Sequence, residues 1–297
     1  MKWTRGTAND DVVDVRGRRG SSAVRIGGGS AVAVVVVFLV ARVFGVDISG
    51  LVGGGGGGGG GAAGGGAPAG PPATAQPPAG PDPEAEQIDF IKFVMKDIQD
   101  TFAGLYQQAN KPYRRAQLYV FRDEIDTRCG RSSSAIGPFY CPGDENAYVD
   151  LSFFRDLKQR FKAPGLFAQA YVLAHEMGHH LQTLEGGSAG KRAGGDRRSK
   201  SKSKNDASVR QELQADCYAG VWGHSADARK VVEVGDLEAA LAAATAIGDD
   251  RLQQQAGRRV NPETFTHGTS AQRVRWFRRG FETGQLEACD TFSVEEP

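Results

Sequence analysis

The chain has no surplus charge of either sign. Its 36 Lys and Arg stand against 35 Asp and Glu, a balance that gives no electrostatic ground for nucleic acid or an acidic substrate as partner. No internal repeat of any period is present, which removes solenoids and propellers. Aromatic residues are missing from "LVGGGGGGGGGAAGGGAPAGPPATAQPPAGPDP", residues 51–83, as is any recurrent apolar face. Such a stretch cannot bury enough surface to offset the entropy of ordering its backbone. Its Gly half is expected to behave as a flexible coil and its Pro half as a more extended one, so residues 47–86 are read as a linker.

Charge is also absent from Ile26 to Ala41, within "RIGGGSAVAVVVVFLVARVFGVDISG". Arg42 interrupts the apolar run and Val43 to Val46 resume it, giving about the 20 residues that a bilayer-crossing helix needs. An arginine near one end can reach the interface. No small-residue cleavage site of the secretory kind follows closely, so residues 26–46 are expected to be a retained single-pass membrane anchor. Arg16, Arg18, Arg19 and Arg25 flank it on one side and Asp47 on the other. The positive-inside bias then puts residues 1–25 in the cytoplasm as a tail and the rest outside. All four cysteines (Cys129, Cys141, Cys217 and Cys289) lie beyond the anchor, an even number in a compartment where pairing is expected. Cys129 with Cys141 is the first choice, which leaves Cys217 and Cys289 as a second pair or as two free thiols.

Residues 87–297 suffice for one domain with a sizeable core. Ile88, Ile91, Met95, Ile98, Phe102 and Leu105 recur at spacings of three and four and predict a helix. "AQLYVF" reads as a strand, and "GPFYC" and "AYVDLS" as two strands about a Pro-Gly-Asp-Glu-Asn turn. "FFRDLKQRF" predicts a short helix, and residues 166–184 a longer one. After it, residues 186–207 form a basic low-complexity excursion that reads as a solvated loop. Helical character resumes in "SVRQELQADCYAGVWGHSAD", in "DLEAALAAATAIGDDRLQQQAG" and in "THGTSAQRVRWFRRGFETG", where Val274, Phe277 and Phe281 share a stripe. A helix, a few strands and then only helices predict an α+β domain, mostly helical, with a small sheet.

Three of only five histidines crowd into "AYVLAHEMGHHLQTL". His175 and His179 lie one turn apart, about 40° from alignment, so both imidazoles can reach one metal ion. Glu176 points off that line and can address a water in an open coordination position. This is the H-E-x-x-H pattern of zinc held by two histidines with a glutamate as general base. The alternative, histidines paired within a core, leaves a carboxylate and imidazoles buried without a partner, at a cost of several kcal/mol. "ELQAD" offers Glu212 as third ligand. Asp216, one turn on, could accept the free ring N–H of a ligand histidine and fix its tautomer. His180, about 140° round the helix from His175, reads as a packing or supporting residue.

"HEMGHHLQ", "RQELQADCYAGVW", "IGDDRLQ", "FTHGTSAQRVRWF", "CDTF", "GPFYCP" and "YVDLSFF" together resemble the bacterial membrane-anchored neutral zinc metallopeptidase family, a zincin group with a glutamate third ligand. The likeness spans residues 88–293, and "DVRGRRG", the anchor and the Gly-rich tether are similar to the family's N-terminal layout. The resemblance implies a zincin-like fold, Zn2+ as cofactor and a peptide or protein as substrate. It implies His175, His179 and Glu212 as ligands and Glu176 as the base that carries a water proton to the leaving amine. A further donor would stabilise the oxyanion, with His267 and Tyr218 as candidates; His267 could instead belong to the cap of the last helix, at Thr269 or Ser270. The strand "NAYVDLS" is the candidate edge strand for pairing with a peptide substrate, by analogy of fold. Other readings are a non-enzymatic envelope protein with a structural metal site and a zinc amidase acting on cell-wall peptides. The intact Glu176 favours an enzyme, since a structural site needs no base.

Overall fold

The computed structural model describes residues 1–17, 81–134, 137–186, 204–255, 257 and 259–297. The expected anchor at 26–46, nearly all of the linker and most of the basic excursion lie outside them. Among the described residues no helix is long and apolar enough to cross a membrane.

The apolar spacing of three and four builds helix α1 (Ala85–Gln108), whose Ile88, Ile91, Met95, Ile98 and Phe102 are buried. Strand β2 (Leu118–Phe121) follows. A hairpin of β3 (Glu124–Thr127) and β4 (Gly130–Ser133) comes next, then β5 (Phe139–Cys141) and β6 (Asn146–Asp150) around the expected turn. The hairpin is not among the elements that the sequence predicts. Its turn is bonded to the end of β5 through Cys129–Cys141.

Strand β1 (Val12–Asp14) completes a four-stranded sheet in the order β1-β2-β6-β5, with β1, β2 and β6 parallel and β5 antiparallel. Leu118, Val120, Ala147 and Val149 alternate onto the buried face with the helices. Tyr119, Tyr148 and Phe139 stack on the opposite face. β6 is therefore an interior strand and its backbone is already paired on both sides. The expectation that "NAYVDLS" offers a free edge is corrected: β5 is the edge on that side.

The N-terminal segment also departs from expectation. Residues 1–17 are part of the folded domain. Beyond the strand pairing, Trp3 packs edge-on against Phe90 of α1, Asp11 pairs with Arg115 at 2.7 Å, and Arg16 bridges Asp14, Asp82 and Glu84. Strands that exchange backbone hydrogen bonds share one compartment. A cytoplasmic tail and an external domain, separated by one crossing, cannot both hold in this fold.

Short helix α2 (Ser152–Gln159) leads to α3 (Leu166–Leu184), with the bounds its sequence predicts and buried on nearly every side. Helix α4 (Lys204–Ala228) packs along α3. The Ala-rich stretch, expected as one helix, is two: α5 (Asp236–Ala246) and α6 (Asp249–Gln255). They break at Gly248, where a Cβ would meet the Ser270 backbone nitrogen at 2.5 Å. The last helix, α7 (Ser270–Thr283), starts at a capping box in which Thr269 and Gln272 satisfy each other's backbone N–H groups. It lies against α4 where Gly220 and Gly280 bring the backbones together, and Cys217–Cys289 ties α4 to the turn that follows α7.

Gly178 sets the approach of α3 and α4. A Cβ there would stand 2.9 Å from the Cα and carbonyl oxygen of Ala215, closer than packed backbones allow. Gly178→Ala should therefore lose about 1–3 kcal/mol of stability in denaturant unfolding despite alanine's better helix propensity; an unchanged midpoint would contradict this packing. Cysteines placed at Val13 and Tyr119, register partners across β1 and β2, should cross-link in intact cells. Failure to cross-link in folded protein would remove β1 from the sheet.

Candidate metal centre

The close contact at Gly178 and Ala215 brings two pairs of residues side by side. His175 and His179 lie before and after Gly178 on α3, and Glu212 and Asp216 flank Ala215 on α4. The imidazole rings of His175 and His179 stand 4.8 Å apart and nearly perpendicular. Glu212 Oε2 is 3.2 Å from His175 Nε2, and Oε1 is 3.6 Å from His179 Nε2. One ligand atom from each of the three lies within 4.8 Å of the others. These are the three residues that the sequence proposes as ligands, and the structure brings them together.

The far side of each ring is held. His175 Nδ1 donates to Asp216 Oδ1 at 2.9 Å, the contact expected of Asp216. His179 Nδ1 is 3.0 Å from Gln182 Oε1, and Gln182 is fixed in turn by its amide donating to the Gln211 carbonyl oxygen. Both Nε2 atoms are left facing Glu212. A divalent cation preferring nitrogen and carboxylate ligands fits this donor set.

The electrostatics ask for positive charge. Burial works against a charged His175, yet Asp216 and Glu212 push it up to about 10. Burial works against an ionised Glu212 too, and the His179 charge with the His175 hydrogen bond holds it well below the carboxylate range. The two carboxylates thus favour positive charge on the imidazoles they face. Glu176 lies beside this group, buried, and burial raises it above the ordinary carboxylate range against the pull of both histidines.

His267 reaches the same region from the loop before α7. Asp249, the first residue of α6, accepts backbone N–H bonds from Thr266, His267 and Gly268 through one oxygen, and its other oxygen takes His267 Nδ1 at 3.1 Å. The ring lies close enough to Glu212 for each charge to favour the other. It does not cap α7, a task that Thr269 performs. Tyr218, the other candidate donor, is buried on α4 and interacts electrostatically with Tyr106 of α1.

His180 is a fastening. Its Nε2 donates to the Arg114 carbonyl oxygen at 2.7 Å, and its Nδ1 accepts from the Tyr140 hydroxyl at 3.1 Å, which fixes a neutral tautomer and pins β5 to α3.

Three buried groups went unassigned in the sequence. Asp249 sits in "IGDDRLQ", where an acidic pair after a helix break reads as surface. Tyr171, one turn before His175, reads as plain core, and its hydroxyl donates to Asp216 Oδ1 at 2.6 Å. Arg273 carried a signal, being four residues before Phe277 on an otherwise apolar stripe, and it is 2% exposed.

Residues 1–292 match the family model described as "Putative neutral zinc metallopeptidase". The uncharacterized protein YpfJ of Escherichia coli is 41% identical over 298 residues, 98% of this chain and 99% of its own length. An uncharacterized protein of Mycobacterium bovis is 46% identical over 197 residues, 62% of this chain and 64% of its own. No solved structure matches the chain. A match over nearly the whole length, together with the H-E-x-x-H helix and its acidic partner, places the chain in the neutral zinc metallopeptidase family.

Proposed function

We propose that the protein is a zinc-dependent peptidase in which Glu176 is the general base and His175, His179 and Glu212 hold the metal. The observation that carries this reading is a buried glutamate beside a group of three protein ligands, the number that a catalytic site uses, among the described residues. Zinc bound there supplies a Lewis acid that polarises a peptide carbonyl and acidifies water.

The protein's own groups do the rest. Glu176, raised by burial, is suited to accept a proton from water and hand it to the leaving amine. His267, with Nδ1 occupied by Asp249, presents Nε2 as the donor for negative charge that develops on the carbonyl oxygen. Glu212 stays ionised throughout. The free edge of β5, fastened to α3 beside His179 through Tyr140 and His180, is the place where an extended peptide would add as a further strand.

The two disulfides support an oxidising compartment outside the cytoplasm. The charge-free run 26–41 supports attachment of the chain to a membrane, with residues 1–17 on the same side as the domain.

Glu176→Gln should bind one zinc per chain as the parent does while peptide hydrolysis falls by about 10²–10⁴. A chelator should abolish hydrolysis by the parent, and added zinc should restore it. Cleavage by Glu176→Gln at the parent's rate would refute the assignment. His267→Gln should lower kcat by about 10²–10³ with zinc content unchanged, and Asp249→Asn should act in the same direction. A change confined to KM would take the donor role away from His267.

A further inference from the structure

Asp216 is completely buried and accepts four hydrogen bonds. The Tyr171 hydroxyl and His175 Nδ1 bind Oδ1 at 2.6 and 2.9 Å. Arg273 adds Nε on Oδ2 at 2.8 Å and Nη2 on Oδ1 at 2.9 Å, a two-pronged contact from α7. The guanidinium has its own supports: Nη1 donates to the Ile247 carbonyl oxygen at 3.3 Å, and Nη2 lies 3.4 Å from the Tyr171 hydroxyl.

A carboxylate in this position without a cation would be a buried, uncompensated charge, which is strongly unfavourable. It would escape that state by turning away from His175. That change removes the acceptor that holds the imidazole in one tautomer. It would also add a full negative charge next to the ligand set, which already contains Glu212. A guanidinium on the opposite side prevents both. Its planar fork fixes the plane of the carboxylate, and its charge leaves the pair neutral overall. The helix is placed to deliver it, because the backbones of α4 and α7 meet at Gly220 and Gly280, next to the turns that carry Asp216 and Arg273.

We propose that Arg273 is a positioning residue for the metal centre, acting through Asp216 to hold His175 with its Nε2 lone pair turned to the site. The proposal rests on the reading of His175, His179 and Glu212 as zinc ligands, and the test separates the two. Zinc affinity is measured on the full chain by competition with a chromophoric chelator, in the parent and in Arg273→Lys, Arg273→Met, Asp216→Asn and the double variant Asp216→Asn with Arg273→Met. Folding of the zinc-free proteins is followed by circular dichroism and thermal melting, and the hydrogen-bonded Nδ1–H proton of His175 by NMR.

Arg273→Met should weaken zinc binding by about 10- to 100-fold and broaden or remove the His175 Nδ1–H resonance. Arg273→Lys, which keeps the charge and loses the fork, should fall between it and the parent. The double variant should regain most of the affinity lost in either single one, because a neutral amide still accepts from His175 and no charge is left unpaired. Parent-like affinity and an unaltered resonance in folded Arg273→Lys and Arg273→Met would overturn the proposal, as would simple additivity in the double variant. If Arg273→Met does not fold, the Lys variant and the double variant decide by the same criteria. A parent that binds no zinc would refute the ligand assignment instead.

Discussion

The site depends on two helices coming closer than side chains ordinarily permit. At Gly178 and Ala215 the backbones of α3 and α4 are in near contact, and the residues three positions before and one position after each of them carry the polar cluster. A wider separation would leave Glu212 out of reach of the imidazoles and Asp216 out of reach of His175. The polar cluster in an apolar helix is tolerable only because this approach supplies its partners. Both histidines then meet carboxylates of the facing helix, and the cost of taking charge out of water is offset locally.

Around that contact the fold adds rigid supports. α7 brings a guanidinium to the back of the cluster, and the loop ahead of α7 brings an imidazole towards its front, gripped by a carboxylate that also satisfies three consecutive backbone amides. The sheet contributes through β5, whose Tyr140 is fastened to the residue after His179. Helices from the middle and the end of the domain thus converge on one small volume. Cys217–Cys289 holds the third-ligand helix to the chain beyond α7, one residue from Asp216. Each support fixes orientation, not mere proximity, which is what a metal-activated reaction requires of its ligands.

Legibility in the sequence followed the range of the interaction. His175, Glu176 and His179 could be read because their relation is a property of one helical turn. Helix α3 could be placed to the residue because its apolar flanks are continuous. Glu212 and Asp216 were legible as a spaced acidic pair once the histidines called for a third ligand. Arg273 and Asp249 act across elements, and an arginine or an aspartate in a polar-looking stretch says nothing of its distant partner. β1 was missed for a related reason. Three residues, Val12, Val13 and Asp14, make no periodic signal, and their strand partner lies beyond a long linker. The charge pattern around residues 26–46 pointed to a topology that the pairing of β1 with β2 excludes. Local rules about flanking arginines could not see that the same flank is part of a sheet.

The N-terminal strand also joins the two described parts of the chain on either side of residues 18–80. Because residues 1–17 are held by backbone pairing, by Trp3 against α1 and by the Arg16 ion pairs, the chain closes on itself on both sides of residues 18–80. The described residues on either side of that segment, 17 and 81, therefore belong to one folded unit. A single cut within residues 18–80 would not release the short N-terminal piece at once. It would convert the protein into a two-chain assembly, held by a three-residue parallel strand and a handful of charges, and concentration would then decide whether the sheet keeps its edge.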